Sequence, residues 1–388
     1  MTPTGRLADE VRRIGRQAGL DAVGICDARP FDDTKRELQE RKARGWSAGM
    51  QFTYRNPDRS TNPQATLSGA AALVVGARRY DRRNDRGQPH PSSPPAEPRP
   101  QGRVAMYSWV DQYGPLRAAL GMVAEHLVRE GWQARVLVDD NALVDRAAAV
   151  RAGIGWYGKN TNVLLPGSGS WFVLGSVVTD AALAGRLPVL APVANGCGPC
   201  PRCLAACPTG ALVDAGKLDA RRCLAWLLQA PGVFPHDYRE ALGDRLYGCD
   251  DCQAVCPINQ QSARHDPPPP AEPEAQPSVD IVDLLAEDDE HLMALVGRWY
   301  IPGREARYVR RNALIVLGNT ANSADPAVTR TLVRALADRD PVVRSHAVWA
   351  AARLGRRDLL RAIQGDPDPL VVAELALAGE PAPGGGPT

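Results

Sequence analysis

Lysine is nearly missing from this chain. Lys35, Lys42, Lys159 and Lys217 are its only lysines among 46 basic residues, and the rest are arginine. Against 44 acidic residues the net charge is only +2, too small to imply a nucleic-acid partner from composition alone. The arginine bias fits GC-rich coding, although guanidinium forks also suit phosphate. No apolar run approaches the length of a bilayer-spanning helix. Met1–Leu20 lacks a signal-like apolar core, so a soluble protein in a reducing cytoplasm is expected and a disulfide scaffold is not. At 388 residues, with 44% hydrophobic and 23% charged content, the composition is ordinary for a chain of two or three globular domains.

What the chain does have is a dense run of cysteine, with eight of its nine thiols in one arrangement. Cys197, Cys200, Cys203 and Cys207 read C-x-x-C-x-x-C-x-x-x-C-P, Cys223 stands alone, and Cys249, Cys252 and Cys256 read C-x-x-C-x-x-x-C-P. Thiolates separated by two intervening residues wrap the corners of an iron–sulfur cubane, and the cysteine before proline ligates the neighbouring cluster. Cross-ligation therefore assigns Cys197, Cys200, Cys203 and Cys256 to one 4Fe–4S cluster and Cys207, Cys223, Cys249 and Cys252 to the other. Two Cys₄ zinc sites are the alternative, but zinc sites show separated C-x-x-C pairs and no triple run closed by Cys-Pro. Two adjacent cubanes form a short electron relay, so redox chemistry is expected. Cys26, in DAVGICDA, reads as a small core residue.

Around this block the pattern alternates. Thr4–Ala18 has helical periodicity, Asp21–Cys26 and Ala70–Val75 read as strands, and Asp81–Pro100 reads as a mobile Pro-rich loop. Tyr113–Glu130 is helical, Ala134–Val138 a strand ending at Asp139, Leu143–Ala152 a helix closed by Gly153, and Ser170–Thr179 a buried strand. This predicts an α/β domain over residues 1–185, a cluster domain over 186–262 and a Pro-rich linker over 263–278. RRNALIVLG at Arg310–Gly318 is echoed at Arg344–Ala350, and Asp-Pro steps punctuate the helices, as in HEAT-type repeats over 279–378. The Pro/Gly-rich tail 379–388 is expected to be disordered.

Together these pieces resemble the epoxyqueuosine reductase family. The resemblance covers most of the chain and is carried by Val138–Asn162 (VDDNALVDRAAAVRAGIGWYGKNTN), Gly169–Gly175 (GSWFVLG), Arg245–Pro257 (RLYGCDDCQAVCP), Arg310–Asn319 (RRNALIVLGN) and the cysteine block. It implies an α/β N-terminal cobalamin-binding domain, a ferredoxin-like domain with two 4Fe–4S clusters and a C-terminal all-α HEAT-like repeat. Composition and spacing alone show no cobalamin, and no D-x-H-x-x-G string is present for a histidine-ligated corrinoid. The implied substrate is a tRNA with epoxyqueuosine in its anticodon loop. The implied reaction removes the epoxide oxygen with two electrons and two protons, which the cofactors supply and the protein positions. An external donor such as a ferredoxin or flavodoxin must refill the clusters. The chain is expected to act as a cytoplasmic monomer away from membranes.

By the same resemblance Asp139 matches the family's proton donor, a carboxyl at a buried strand end where its pKa should rise. Asp140 or Asn141 is then left to cap the following helix. Arg59, Tyr107, Asp139, Lys159, Asn160, Ser170, Cys249 and Asp250 match positions around the corrin. The chain departs from the family pattern at Gln112-Tyr113-Gly114, where D-Y-H is common, and at Ala142, where proline is usual. For tRNA, the candidates are Arg298, Arg304, Arg307, Arg310 and Arg311, interleaved with Trp299, Tyr300 and Tyr308. Arginines fork onto phosphates and aromatics stack on unpaired bases. His291 and His346 read as surface or structural residues. Two other readings remain: a corrinoid reductive dehalogenase, which usually carries an export signal and no HEAT-like helices, and a non-catalytic two-cluster electron carrier.

Overall fold

The computed structural model describes residues 3–82, 99–183 and 193–379. Most of the Asp81–Pro100 loop and the tail after Gly379 lie outside these residues. The chain forms two compact units. One is drawn from within Met1–Arg83, Val110–Cys223 and Asp250–Pro273, and the other from within Asn84–Trp109, Leu224–Cys249 and Glu274–Thr388.

The first unit is built on a four-stranded sheet ordered Ala22–Asp27, Ala72–Arg79, Phe172–Thr179, Ala134–Val138, with every neighbouring pair antiparallel. The central run ALVVGA is buried along its length because helices cover both faces. Gly76 faces Leu20 and Leu120, whereas Leu73, Val75 and Ala77 join Ala147, Ala148 and Val178 in a core on the opposite face. Alternation of side chains across a strand produces this split. Cys26 is a buried member of that core, and burial pushes its thiol up to about 12. Gly175 pairs with Val138, and a Cβ there would lie 2.7 Å from Val138 Cγ2 and 2.8 Å from Leu120 Cδ1. Only glycine lets the helix and the end of Ala134–Val138 approach so closely. The following helix spans Asp145–Arg151, two residues later than the sequence pattern predicts. Asp140 is not its cap; it accepts a hydrogen bond from Ala142 N at 2.8 Å in a tight Asx turn.

The stretch predicted as a Pro-rich linker begins inside the helix Pro257–His265. Within the first unit, Arg79 pairs with Asp266 and Arg82 with Glu272.

The second unit stacks helices Ala306–Thr320, Pro326–Leu336, Pro341–Arg353 and Pro369–Gly379. Its Asp-Pro steps act as helix starts. Asp325 accepts from Ala327 N at 2.7 Å and Asp340 from Val342 N at 2.8 Å, with proline in each first turn. A small sheet ordered Arg245–Tyr247, Gln101–Val104, Ser278–Asp280 joins segments far apart in sequence. His346 is structural: it is buried, and its Nε2 accepts from Phe234 N at 3.2 Å. His291 lies at the surface beside Asp288.

Arg311 corrects a sequence expectation. It is 0% exposed and cannot reach a phosphate. Its guanidinium instead donates to the carbonyls of Ala230 and Gly232, both at 2.7 Å, and to those of Leu227 and Leu228. A fork with several donors can satisfy a bend whose carbonyls find no ladder. Arg311→Met should strip those carbonyls of their donor and lower the unfolding free energy by on the order of 3 kcal/mol. Urea denaturation measures this; a variant as stable as the parent would contradict it.

Candidate functional site

Trp156–Tyr157 and Val163–Leu164 pair as a short hairpin whose tip carries the GKN string. Gly158 N donates to Asn162 O at 2.8 Å and Thr161 adopts a φ of +68°, so the tip is tightly folded. A Cβ on Gly158 would meet Leu164 Cδ1 at 2.2 Å, which makes glycine necessary there. The tip reaches three cysteine-bearing segments. Lys159 Nζ donates to Cys200 O at 3.0 Å, and Asn160 Nδ2 donates to Cys252 O at 3.3 Å. Lys159 O accepts from Gly216 N at 2.9 Å, in the hairpin between Cys207 and Cys223.

Cys197, Cys200, Cys203 and Cys256 line one cavity of about 70 Å³, together with Lys159, Asn160 and Ile258. Cys256 packs with Trp156 and Leu164. Burial pushes the Cys203 thiol up, and the neighbouring Cys197 and Cys256 add to the shift. Among the described residues, no three Cys, His, Asp or Glu side chains converge on a single ion position. Four sulfur donors spread around a cavity, three from one run and one from another, form a donor set that fits a cubane. The same fold brings Cys207 towards Cys223. Ala211 N donates to Cys207 Sγ at 3.2 Å, and Thr209 Oγ1 donates to Arg222 O, the residue before Cys223, at 2.5 Å. Cys252 belongs to the first unit with these residues, whereas Cys249 is the last residue of a second-unit stretch, peptide-bonded to Asp250.

Asp139 follows directly on Ala134–Val138 and has a φ of +51°, a strained value for a residue with a side chain. Arg117 Nη2 donates to Val138 O at 2.9 Å and pins the strand end just before it. The Asp139 carboxyl reaches solvent, yet the surrounding protein raises its pKa; Arg117 opposes that rise and Asp140 adds to it. Asp145, half-buried on the next helix, is pushed well above the ordinary carboxylate value by desolvation and then by Asp139. Two carboxyls that resist ionising together can hold a proton for transfer. Ala142, where the family pattern has proline, supplies the N–H that Asp140 accepts, and a proline could not. A Cβ on Gly114 would lie 2.3 Å from Asp111 Oδ2, so glycine makes room for the carboxylate that accepts from Tyr113 N and Gly114 N.

The other residues matched to the corrin surroundings separate. Arg59 is exposed and, like Asp139, its side chain has no hydrogen-bond partner among the described residues. Both are therefore open to a bound group. Asp250 is half-buried before the helix Asp251–Ala254. Ser170 is turned inward instead: it is 4% exposed, and Gln253 Nε2 and Asn259 Nδ2 donate to its hydroxyl at 3.2 and 3.0 Å. This buried network, which nothing in the cysteine spacing signals, ties the second cysteine run to the sheet. Arg117 was equally invisible, because its role depends on a carbonyl 21 residues away. Tyr107 lies in the second unit, where Gln229 Nε2 donates to its hydroxyl at 3.2 Å.

The arginines chosen for tRNA are engaged within the second unit. Arg298 donates to Trp109 O at 3.0 Å and Arg304 to Trp299 O at 3.2 Å. Arg307 pairs with Glu305 and Asp340, and Arg310 with Asp289. Trp299 stacks on Tyr247 at 4.5 Å, and both Trp299 and Tyr308 are buried, so neither offers a face to a base; Tyr300 is exposed.

Residues 196–259 match the family of 4Fe–4S double cluster binding domains, and residues 303–378 match HEAT repeats. The chain is 31% identical over 372 residues to an epoxyqueuosine reductase of Bacillus anthracis, covering 92% of each chain. It is 32% identical over 359 residues to one of Bacillus subtilis, covering 90% of this chain and 88% of that protein. A crystal structure of epoxyqueuosine reductase with an epoxyqueuosine-modified tRNA-Tyr stem loop superposes with a TM-score of 0.84 at 28% identity, covering 97% of this chain and 98% of the other.

The raised carboxyl gives a signed expectation. Asp139 in the folded protein ionises above its ordinary value of 3.8. Its contribution to stability is therefore complete below about pH 4 and is lost as pH rises through the folded pKa. Asp139→Asn removes that loss, and asparagine tolerates a positive φ. The variant should match the parent at low pH and melt higher at neutral pH. A Tm difference that does not change with pH would contradict this.

Proposed function

The chain belongs to the epoxyqueuosine reductase family, and from that premise we propose that it converts epoxyqueuosine at the tRNA wobble position to queuosine. The carbon–oxygen bonds of the epoxide break, an alkene forms, and the oxygen leaves as water after taking up two electrons and two protons. The similarity running the length of the chain carries this reading, and the convergence of Cys256 on the 197–203 run supports its redox part.

In this reading Cys197, Cys200, Cys203 and Cys256 hold one cluster, and Cys207, Cys223, Cys249 and Cys252 hold the other. Arg59, Asp139, Asn160 and Asp250 of the first unit would hold a cobalamin, and the family resemblance also matches Tyr107 and Cys249 to its surroundings. When bound, these groups supply single electrons and a corrinoid able to act as a two-electron nucleophile towards the epoxide. The protein's own task is protonation. Asp139 stays at the strand end because Arg117 fixes the preceding carbonyl and the Asx turn at Asp140 fixes the following loop. Its raised pKa keeps a proton available to the departing oxygen, and Asp145 nearby resists any second negative charge. A tRNA bearing the modified anticodon loop is the substrate, an external donor such as ferredoxin or flavodoxin supplies electrons, and the protein works as a monomer in the cytoplasm. Among the described residues no helix is long and apolar enough to cross a membrane.

The test is anoxic reconstitution with iron, sulfide and cobalamin, followed by reduction and nucleoside analysis of epoxyqueuosine-containing tRNA. Queuosine should accumulate; its absence from fully loaded, reduced protein would overturn the reading. Asp139→Asn should keep its iron and corrinoid absorbance but lose about 10²–10⁴-fold in turnover, the usual contribution of a general acid. Full activity in that variant would remove Asp139 from the role.

A further inference from the structure

Lys159 is one of the chain's few lysines, and its ammonium is turned to the thiol cavity. It lines the same 70 Å³ space as Cys197, Cys200, Cys203 and Cys256 and is held there by its hydrogen bond to Cys200 O at 3.0 Å. Its backbone is anchored independently: Gly216 N donates to Lys159 O, and the neighbouring Asn160 is tied to Cys252 O. The cavity wall beside it includes the apolar side chains of Leu164 and Ile258, and Lys159 is itself partly buried. Among the described residues no acidic side chain lines this cavity.

We propose that Lys159 is a positioning residue that sets the reduction potential of the cluster held by Cys197, Cys200, Cys203 and Cys256, favouring its reduced state. The inference rests on the two-cluster reading given above. Each one-electron reduction adds a negative charge to the cluster. A fixed ammonium in the surrounding wall stabilises that extra charge, and net charge and hydrogen bonding are the protein's means of tuning such potentials. The second cysteine set has a different cation close by: Arg222, the residue before Cys223, places its guanidinium against Gly210, while Lys217 pairs with Asp214 at the surface. Lys159 lines the cavity of the first set, so its charge bears chiefly on that one cluster.

The test is a potentiometric titration of the reconstituted holoprotein, followed by electron paramagnetic resonance, in the parent, Lys159→Met, Lys159→Gln and Lys159→Arg. Iron content and the presence of two reducible signals report on the two-cluster reading by themselves. Given both signals, the neutral variants should lower one midpoint by about 59 mV, a tenfold change in a one-electron equilibrium, and leave the other in place. Lys159→Arg should stay near the parent. Two unchanged midpoints in Lys159→Met would overturn the proposal. Loss of iron from both neutral variants but not from Lys159→Arg would also overturn it, because the lysine would then be needed for assembly rather than tuning.

Discussion

A run of three cysteines cannot close a cubane alone; the fourth ligand must return from another part of the chain. That requirement organises the first unit. Cys256 comes back to Cys197, Cys200 and Cys203 because the hairpin tip at Lys159 and Asn160 grips the carbonyls of both cysteine runs. Ser170, Gln253 and Asn259 lock the second run from the other side through a buried and mutually satisfied set of hydrogen bonds. Such networks stay ordered only when every member is paired, which explains why the polar residues here sit in the core. The four-stranded sheet supplies the rigid base for both devices, since Ser170 lies two residues before Phe172–Thr179.

The Asp139 carboxyl is positioned by the same sheet in a different way. Gly175 permits the close packing that fixes Val138, Arg117 clamps the carbonyl beyond it, and the chain then turns through a left-handed Asp139. Strain of this kind persists where surrounding structure enforces it and commonly marks chemistry. The arrangement leaves one carboxyl at the surface of the unit with its proton affinity raised and a second, Asp145, coupled to it.

Much of this was legible in the sequence where the signal is local. Cysteine spacing carried the pairing of Cys256 with the triple run. Ala134–Val138 was bounded correctly by its apolar run and by Asp139. Asp325-Pro326 and Asp340-Pro341 declared helix starts, because a cap and a first-turn proline act within one turn. Where partners are distant, the sequence was silent or misleading. Arg311 looked like a phosphate ligand among other arginines, yet carbonyls some 80 residues earlier claim it. The strand Gln101–Val104 is too short and too polar to announce itself, and it exists because Arg245–Tyr247 and Ser278–Asp280 pair with it. Ser170 was matched to the cofactor surroundings by the family resemblance, and nothing in its own segment points to its hydrogen bonds with Gln253 and Asn259.

The account depends most on cross-ligation, the sharing of each cluster between two cysteine runs. Its most direct test compares the surviving reduced cluster, by electron paramagnetic resonance, in anoxically loaded Cys203→Ser and Cys256→Ser. Although these cysteines belong to different runs, both substitutions should damage the same cluster and leave the same intact spectrum behind. Two different surviving spectra, or zinc in place of iron and sulfide, would contradict the ligand assignment and the relay built on it.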